Sequence, residues 1–580
     1  MYCADNVQSI TLSACLLSEQ RQLTYRHAAD AVSEDEILAK DQNKITASEK
    51  TVLTKEQKSE RKKYIAAVII AFAGNVVLFL TLWLLSKYDH VYFDQILFQL
   101  KTTTVGVHGG LALGGVASVG LLSLGATIVE VFLYLLLSGR LFGKLKALMQ
   151  KSRKYIDYCK SKSCRFFVKQ ALTLALCVFM VCLIVFITQL DVFAYVNTIS
   201  TNSDFIEDHY ADPETVGLTF PEEKRNLIYI FLESMENTFA DTTAGGNITV
   251  DYIPELTKLA EENVSFSNTD GLGGAYAYAG TTWTASAMVA QTSGVTVKVP
   301  LGADVYGAEE DFMPGVYSIG EVLRDAGYNQ TLLVGSVAEF HGRKAYFTQN
   351  GEYNIVDINS LKEEGRLDED YEVWWGFEDE KLFAYAKEEI TRLAEADEPF
   401  NFTVLTVDSH FPDGYVCERC GDEYELQYAN VLSCSSKQVY EFVEWIKEQP
   451  FYEDTTVVIS GDHLTMDSEF LADIDPEYTR TVYNCILNSA VEPVQEKNRE
   501  FGTFDMFPTT LAAMGVQIEG DRLGLGTNLF SDKETLTEMY GFEELDAELQ
   551  LKSEFYNKKL LMMDDRIFFG KEETNAEETK

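Results

Sequence analysis

The sequence predicts an α/β domain with a mostly parallel sheet between helices, carried outside the membrane behind a set of transmembrane helices. Three observations predict it. From Asn226 onward short apolar runs alternate with amphipathic stretches, which is the pattern of βαβ units. Before them lie three long apolar stretches, Tyr64 to Leu85, Leu111 to Leu137 and Phe167 to Leu190, and a bilayer crossing needs about 20 such residues. Finally, several apolar runs end in carboxylates or histidines, as in TTVVISGDH from Thr455 to His463, which brings ligands to the rim of a parallel sheet.

The chain has 580 residues and a net charge of −42, enough for more than one structural unit. The whole acidic excess follows residue 200, and such a surface repels phosphate backbones, so no nucleic-acid partner is expected for the large domain. Five segments are expected: a cytoplasmic segment 1–63, a membrane domain 64–190 with three transmembrane helices, a polar connector 191–225, a catalytic domain 226–535, and a C-terminal extension 536–580 ending in an acidic, disordered tail.

Basic residues set the orientation. Arg61, Lys62 and Lys63 precede the first span, and the connection from Arg140 to Lys169 is dense in Lys and Arg with only Asp157 opposing, whereas the first loop has just Lys87 and Lys101. The positive-inside rule then makes the N-terminus and second connection cytoplasmic and everything after Leu190 external. The opening residues lack a basic n-region followed by an apolar h-region, so no cleaved signal peptide is expected. Glu130, inside the second span, is expected to face a neighbouring helix or the headgroups.

Cys417, Cys420, Cys434 and Cys485 fall in the exported part, where thiols can oxidise. Four cysteines allow three complete pairings. Cys417 and Cys420 have C-x-x-C spacing, which suits a zinc knuckle or redox motif; no second such pair follows, and this favours a disulfide that staples a loop.

The exported part then unfolds in order. IYIFL reads as a strand followed by the helix YIPELTKLAEEN; QTLLVG follows the helix VYSIGEVLRDAG; LFAYAKEEITRLAEA precedes FTVLTV; VYEFVEWIKEQ precedes TTVVIS; FDMFPTTLAAMG reads as a helix. Pro213 and Pro221 discourage a long helix in the connector.

Glu233 follows the first strand, Asp408 and His410 follow FTVLTV, and Asp462 and His463 follow TTVVIS. This mix of oxygen and nitrogen donors suits a divalent cation such as Mn²⁺ or Zn²⁺ better than Ca²⁺. Thr281 stands behind Gly280 at the expected start of the helix TTWTASAMVA. A hydroxyl there is either a helix cap or a nucleophile that a cation and the helix dipole would acidify.

The segments IFLESMENTFAD, GTTWTASAMVAQTSG, LTVDSHFPDGYVC, VVISGDHLTM and GLGLGTNLF, in order from about Asn226 to Phe530, resemble the phosphoglycerol transferases that decorate periplasmic glucans. These are relatives of lipoteichoic acid synthase in the alkaline phosphatase and sulfatase superfamily. The resemblance implies an extracytoplasmic alkaline-phosphatase-like domain with one divalent metal ion, Mn²⁺ first and Zn²⁺ or Mg²⁺ next. It implies Glu233, Thr281, Asp462 and His463 as metal ligands, with Thr281 also the nucleophile, and Thr282 and Thr284 as fallbacks because the local pattern is short. It further implies His410 as a catalytic and substrate-binding residue, Arg343 as a phosphate-binding one and His341 as a further substrate-binding position. His341 and Ser336 stand where the family has a tryptophan and an aspartate, which leaves headgroup recognition open.

The function implied is a metal-dependent, membrane-anchored transferase that moves phosphoglycerol from phosphatidylglycerol to an envelope glycan or glycerol phosphate polymer. A phosphoethanolamine transferase is the nearest alternative. A sulfatase-like hydrolase fits less well, since no C-x-P-x-R or S-x-P-x-R motif is present. A non-catalytic envelope binding or sensor protein is the alternative of another class.

Overall fold

The structure, a computed structural model, describes residues 55–88, 93–102, 109–138, 170–300, 312–371, 373–396 and 398–562. The opening segment, the basic connection from Arg140 to Lys169 and the acidic tail lie outside the described residues.

The runs rich in β-branched and aromatic residues form a six-stranded sheet. Its strands are β1 (Asn226–Leu232), β2 (Asn329–Val334), β3 (Asn354–Val356), β4 (Phe400–Leu405), β5 (Thr455–Gly461) and β6 (Asn484–Leu487). Their spatial order is β3-β2-β4-β1-β5-β6. All neighbours run parallel except β6, which pairs antiparallel with β5. Registers Phe231↔Leu405 and Leu232↔Gly461 bring the C-terminal ends of β4, β1 and β5 flush at one rim. In open α/β sheets that rim is where sites are built.

Both faces of the sheet are covered, and the strand period of two divides the core between them. Leu227, Tyr229 and Phe231 of β1 join one apolar cluster, while Ile228, Ile230 and Leu232 join the other. Among the helices before and around the sheet are α1 (Lys55–Lys87), α2 (Phe93–Lys101), α3 (Gly109–Leu137), α4 (Ala171–Gln189), α5 (Val192–Ser200), α6 (Pro254–Glu262), α7 (Thr284–Ser293), α8 (Arg343–Gln349), α9 (Asp379–Ala394), α10 (Gln427–Lys447) and α11 (Met506–Ala513). Helices α7 and α11 pack on the first face through Met288, Val289, Phe507 and Leu511. Helices α6, α9 and α10 cover the second through Leu259, Ile390 and Val443.

Three helices, Lys58–Lys87, Leu113–Leu137 and Ala171–Gln189, are long and apolar enough to cross a membrane. Packing divides the chain into two units, residues 1–71 with 131–177 and residues 72–130 with 178–580. In the first, Ala67, Ala71 and Ala175 form a small apolar contact. In the second, Asn75 donates to Glu130 Oε2 at 3.1 Å and to Thr127 Oγ1 at 3.0 Å. Glu130 therefore faces a neighbouring helix, as expected for a carboxylate that must avoid lipid.

Helix α2 is not legible in the apolar pattern of the connection between α1 and α3. It belongs to the second unit, where Phe98 is buried and its ring lies 5.1 Å from that of Trp283. Gln95 Nε2 donates to Thr282 Oγ1 at 2.6 Å. A segment next to the first span thereby touches the turn that opens α7.

Candidate active site

Strand β1 ends at Leu232 and hands over to Glu233 and Ser234. Ser234 has a left-handed backbone, φ 55°, a conformation that costs an L-residue about 1–2 kcal/mol. Its N–H donates to Asp462 Oδ1 at 2.7 Å, which holds the turn in place. The Glu233 N–H donates to Thr406 Oγ1 at 2.9 Å, and Ser409 Oγ donates to the Glu233 carbonyl at 2.6 Å, so the rim of β4 fixes the rim of β1.

Strand β5 ends at Gly461, where a Cβ would meet the Met235 carbonyl at 1.9 Å. Only glycine allows the two strand ends to approach this closely. Asp462 and His463 follow, and both are buried. The His463 Nδ1 donates to the Leu464 carbonyl at 2.8 Å, which sets the neutral ring's tautomer and leaves the Nε2 lone pair facing the cluster. That nitrogen lies 3.5 Å from Glu233 Oε1 and 3.4 Å from Asp462 Oδ2. One donor atom from each of the three residues lies within 4.8 Å of the others, a spacing that could hold a metal ion.

The donor set fits a divalent cation. Asp462 Oδ2 is buried and accepts no hydrogen bond, and two carboxylates face a single imidazole. Burial and the neighbouring Glu233 charge push the Asp462 carboxyl up to about 7. The Glu233 carboxyl goes the other way: burial works to raise it, but His410 and His463 hold it at about 2. His463 rises to about 9, because Asp462 and Glu233 outweigh its burial. A cation would relieve the unpartnered oxygen and the carboxylate repulsion together.

The hydroxyl at this cluster is Thr284's, not Thr281's. Thr284 Oγ1 donates to Glu233 Oε2 at 3.2 Å and lies 3.5 Å from His463 Nε2. It is the first residue of α7 and partly exposed. Thr281 is fully buried; its Oγ1 donates to the Tyr278 carbonyl and accepts from the Tyr278 N–H, both at 3.0 Å. The structure thus puts at the cluster the hydroxyl of Thr284, one of the two fallback positions, three residues beyond Thr281. Gly280, with φ 80°, closes the turn 278–281 first, and the helix begins only after the extended Trp283.

A small cavity beside the cluster is lined by Glu233, Thr284, Ser336, Arg343, Trp375 and His410, among others. Arg343 and His410 are thus brought to the site. Burial lowers the Arg343 guanidinium to about 10, still cationic at neutral pH. It donates to Ser336 Oγ and the Val337 carbonyl, both at 2.9 Å. His410 Nδ1 donates to the Phe411 carbonyl at 2.6 Å, its ring lies 4.7 Å from that of Trp375, and burial draws its pKa down.

His341 is not among the residues lining this cavity. Its left-handed backbone turns the ring onto Phe340, at 3.8 Å between centroids, and its Nε2 lies 2.5 Å from Gln99 Oε1 of α2. Asp408 does not join the metal cluster: both carboxylate oxygens are buried without a hydrogen-bond partner, and burial with the Asp379 charge pushes it up to about 10. Trp375 was missed by sequence reasoning. Its only signal is a pair of adjacent tryptophans, Trp374 and Trp375, in a polar loop.

The Sulfatase family matches residues 225–516, about half of the chain. A curated relative, phosphoglycerol transferase I of Salmonella choleraesuis, is 29% identical over 340 residues. That alignment covers 57% of this chain but only 42% of the relative's length. Among solved structures, a protein of the alkaline phosphatase superfamily from Vibrio parahaemolyticus is 22% identical with TM-score 0.44, covering 58% of this chain and 79% of that one. The lipooligosaccharide phosphoethanolamine transferase of Neisseria meningitidis is 15% identical with TM-score 0.45, covering 78% of this chain and 84% of that one.

Proposed function

Because the chain belongs to the sulfatase family, we propose that it is a membrane-anchored phosphotransferase moving phosphoglycerol from phosphatidylglycerol to an envelope glycan or glycerol phosphate polymer. One observation carries this reading: a partly exposed Thr284 hydroxyl, at the N-terminus of α7, stands 3.2 Å from Glu233 Oε2 in a cluster suited to a divalent cation. The curated relatives named phosphoglycerol transferase I support the choice of transferred group.

Glu233, Asp462, His463 and Thr284 would hold one divalent cation; the donors suit Mn²⁺ or Zn²⁺, and the family resemblance puts manganese first. When bound, it acidifies a hydroxyl and offsets charge on a phosphoryl group. Thr284 Oγ attacks the phosphorus of the lipid; the Thr284 O–P bond forms, the bond to the diacylglycerol oxygen breaks, and phosphoglycerol-threonine results. An acceptor hydroxyl then attacks the same phosphorus and frees Thr284. Arg343 faces the cavity as a cation for the phosphoryl oxygens. His410, whose Nδ1 is committed to the Phe411 carbonyl, offers Nε2 to move protons onto the diacylglycerol and off the acceptor.

The membrane helices hold the site where a lipid headgroup is found and so raise its local concentration. Arg61, Lys62, Lys63 and the connection from Arg140 to Lys169 support a multi-pass arrangement with the N-terminus cytoplasmic and the catalytic domain outside. The reading is tested by exposing the full chain to phosphatidylglycerol with manganese and sequencing the modified peptide by mass spectrometry. Phosphoglycerol on Thr284 is expected; no adduct, or one on another residue, overturns it.

A further inference from the structure

Three of the four exported cysteines converge away from the catalytic cluster. Cys417 and Cys420 lie in the loop that follows His410, and Cys434 lies on α10. The Cys417 sulfur is 3.6 Å from that of Cys420 and 3.7 Å from that of Cys434, and all three sulfurs lie within 4.8 Å of one another. Cys417 and Cys434 are buried and Cys420 is partly exposed. The fourth cysteine stands apart: Cys485, on β6, is buried and donates to the Leu259 carbonyl at 3.4 Å.

We propose that Cys417, Cys420 and Cys434 bind a structural zinc ion through three thiolates and thereby fasten the His410 loop to α10. Ligands about 2.3 Å from a tetrahedral zinc stand about 3.8 Å from each other, and the two separations from Cys417 match that edge. A disulfide needs its sulfurs about 2.05 Å apart and could use only two of the three. Cys417 stands almost equally far from both partners, which is the arrangement of a shared ion. The Cys420 N–H donates to the Cys417 carbonyl at 3.2 Å, so the C-x-x-C segment is folded as a tight turn that presents both sulfurs to one side.

The surroundings fit the same ion. Gln438, one turn along α10 from Cys434, places its amide nitrogen 3.4 Å from the Cys434 sulfur and 3.8 Å from the Cys417 sulfur. Its Oε1 is buried without a hydrogen-bond partner. Exchanging the two amide positions, which differ by a half-turn of the group, would turn that oxygen toward the Cys417 and Cys434 sulfurs as the candidate fourth ligand. Soft thiolates select zinc over the harder ions expected at Glu233, so the chain would carry two chemically distinct cations. Arg419 adds a second tie between loop and helix, at 2.5 Å from Glu441 Oε2.

The site does not depend on the transferase reading and is tested on the purified full chain without measuring turnover. Metal content is determined before and after a mercurial reagent, and thiols are counted by alkylation of the unfolded protein. About one zinc per chain released only by the mercurial is expected in wild type and in Glu233→Ala, with Cys417, Cys420 and Cys434 all recovered as alkylatable thiols in untreated protein that is then unfolded. Cys420→Ser, at the partly exposed ligand, is expected to lose that zinc while still binding manganese at the other site, which shows that the variant is folded. Wild-type protein without mercurial-released zinc, or with two of the three cysteines recovered as a disulfide, overturns the proposal.

Discussion

Thr284 Oγ1 lies 3.2 Å from Glu233 Oε2, whereas Thr281, three residues earlier, has its hydroxyl bonded on both sides to Tyr278. The two threonines should therefore separate chemistry from stability. Thr284→Ala is expected to lower headgroup release from labelled phosphatidylglycerol by at least about 10³-fold, with folding intact. Thr281→Ala should keep the chemistry and cost about 1–3 kcal/mol in unfolding, from the buried Tyr278 N–H it leaves unpaired. Equal activity losses in the two variants would remove the distinction.

Chelation should silence the enzyme and manganese should restore it, because Asp462 Oδ2 accepts no hydrogen bond within the protein that could replace the ion. Asp462→Asn is expected to fold but to bind manganese at least about 10-fold more weakly in calorimetry. Undiminished affinity in this variant would place the cation elsewhere.

Asp505 gives the α/β domain a pH dependence. Its carboxylate accepts the Thr527 N–H at 2.6 Å and the Gly502 N–H at 2.8 Å, yet burial pushes its pKa up to about 7. A raised pKa means that the folded state binds the proton more tightly than the unfolded one. The resulting stability is complete below the unfolded pKa of about 3.9 and is lost as pH rises through about 7. Each pH unit in that window is worth up to about 1.4 kcal/mol. Melting curves of wild type and Asp505→Asn from pH 5 to pH 8 should therefore shift in favour of the variant as pH rises; a constant difference would exclude the titration.

Helix α2 should tune catalysis without touching the cation. Phe98 packs on Trp283 and Gln95 bonds to Thr282, the two residues just before Thr284. Phe98→Ala should lower kcat about 10- to 100-fold through misplacement of the nucleophile, with manganese affinity unchanged. Loss of both together would point to a collapsed site instead.

The sheet was legible because its strands are short, apolar and rich in β-branched residues, as in β5, and because helices of clear amphipathic period separate them. Glu233, Asp462 and His463 were legible for the same reason, since each follows the end of a strand. The choice among Thr281, Thr282 and Thr284 was not, because it depends on where the turn closed by Gly280 ends and α7 begins. Trp375 and α2 reach the site through tertiary packing alone, and no local pattern announces that. The grouping of three cysteines and the isolation of Cys485 likewise follow from which face of β6 and α10 each occupies.

The docking of α2 has a practical consequence for how this protein is handled. A water-soluble fragment beginning after the last span would lack Phe98 and Gln95, uncover the indole of Trp283 and loosen the threonine it precedes. Such a fragment would turn over slowly, for the missing support lies in residues 93–101, ahead of the last span. Reconnecting residues 93–101 to it through a flexible tether would be the natural repair.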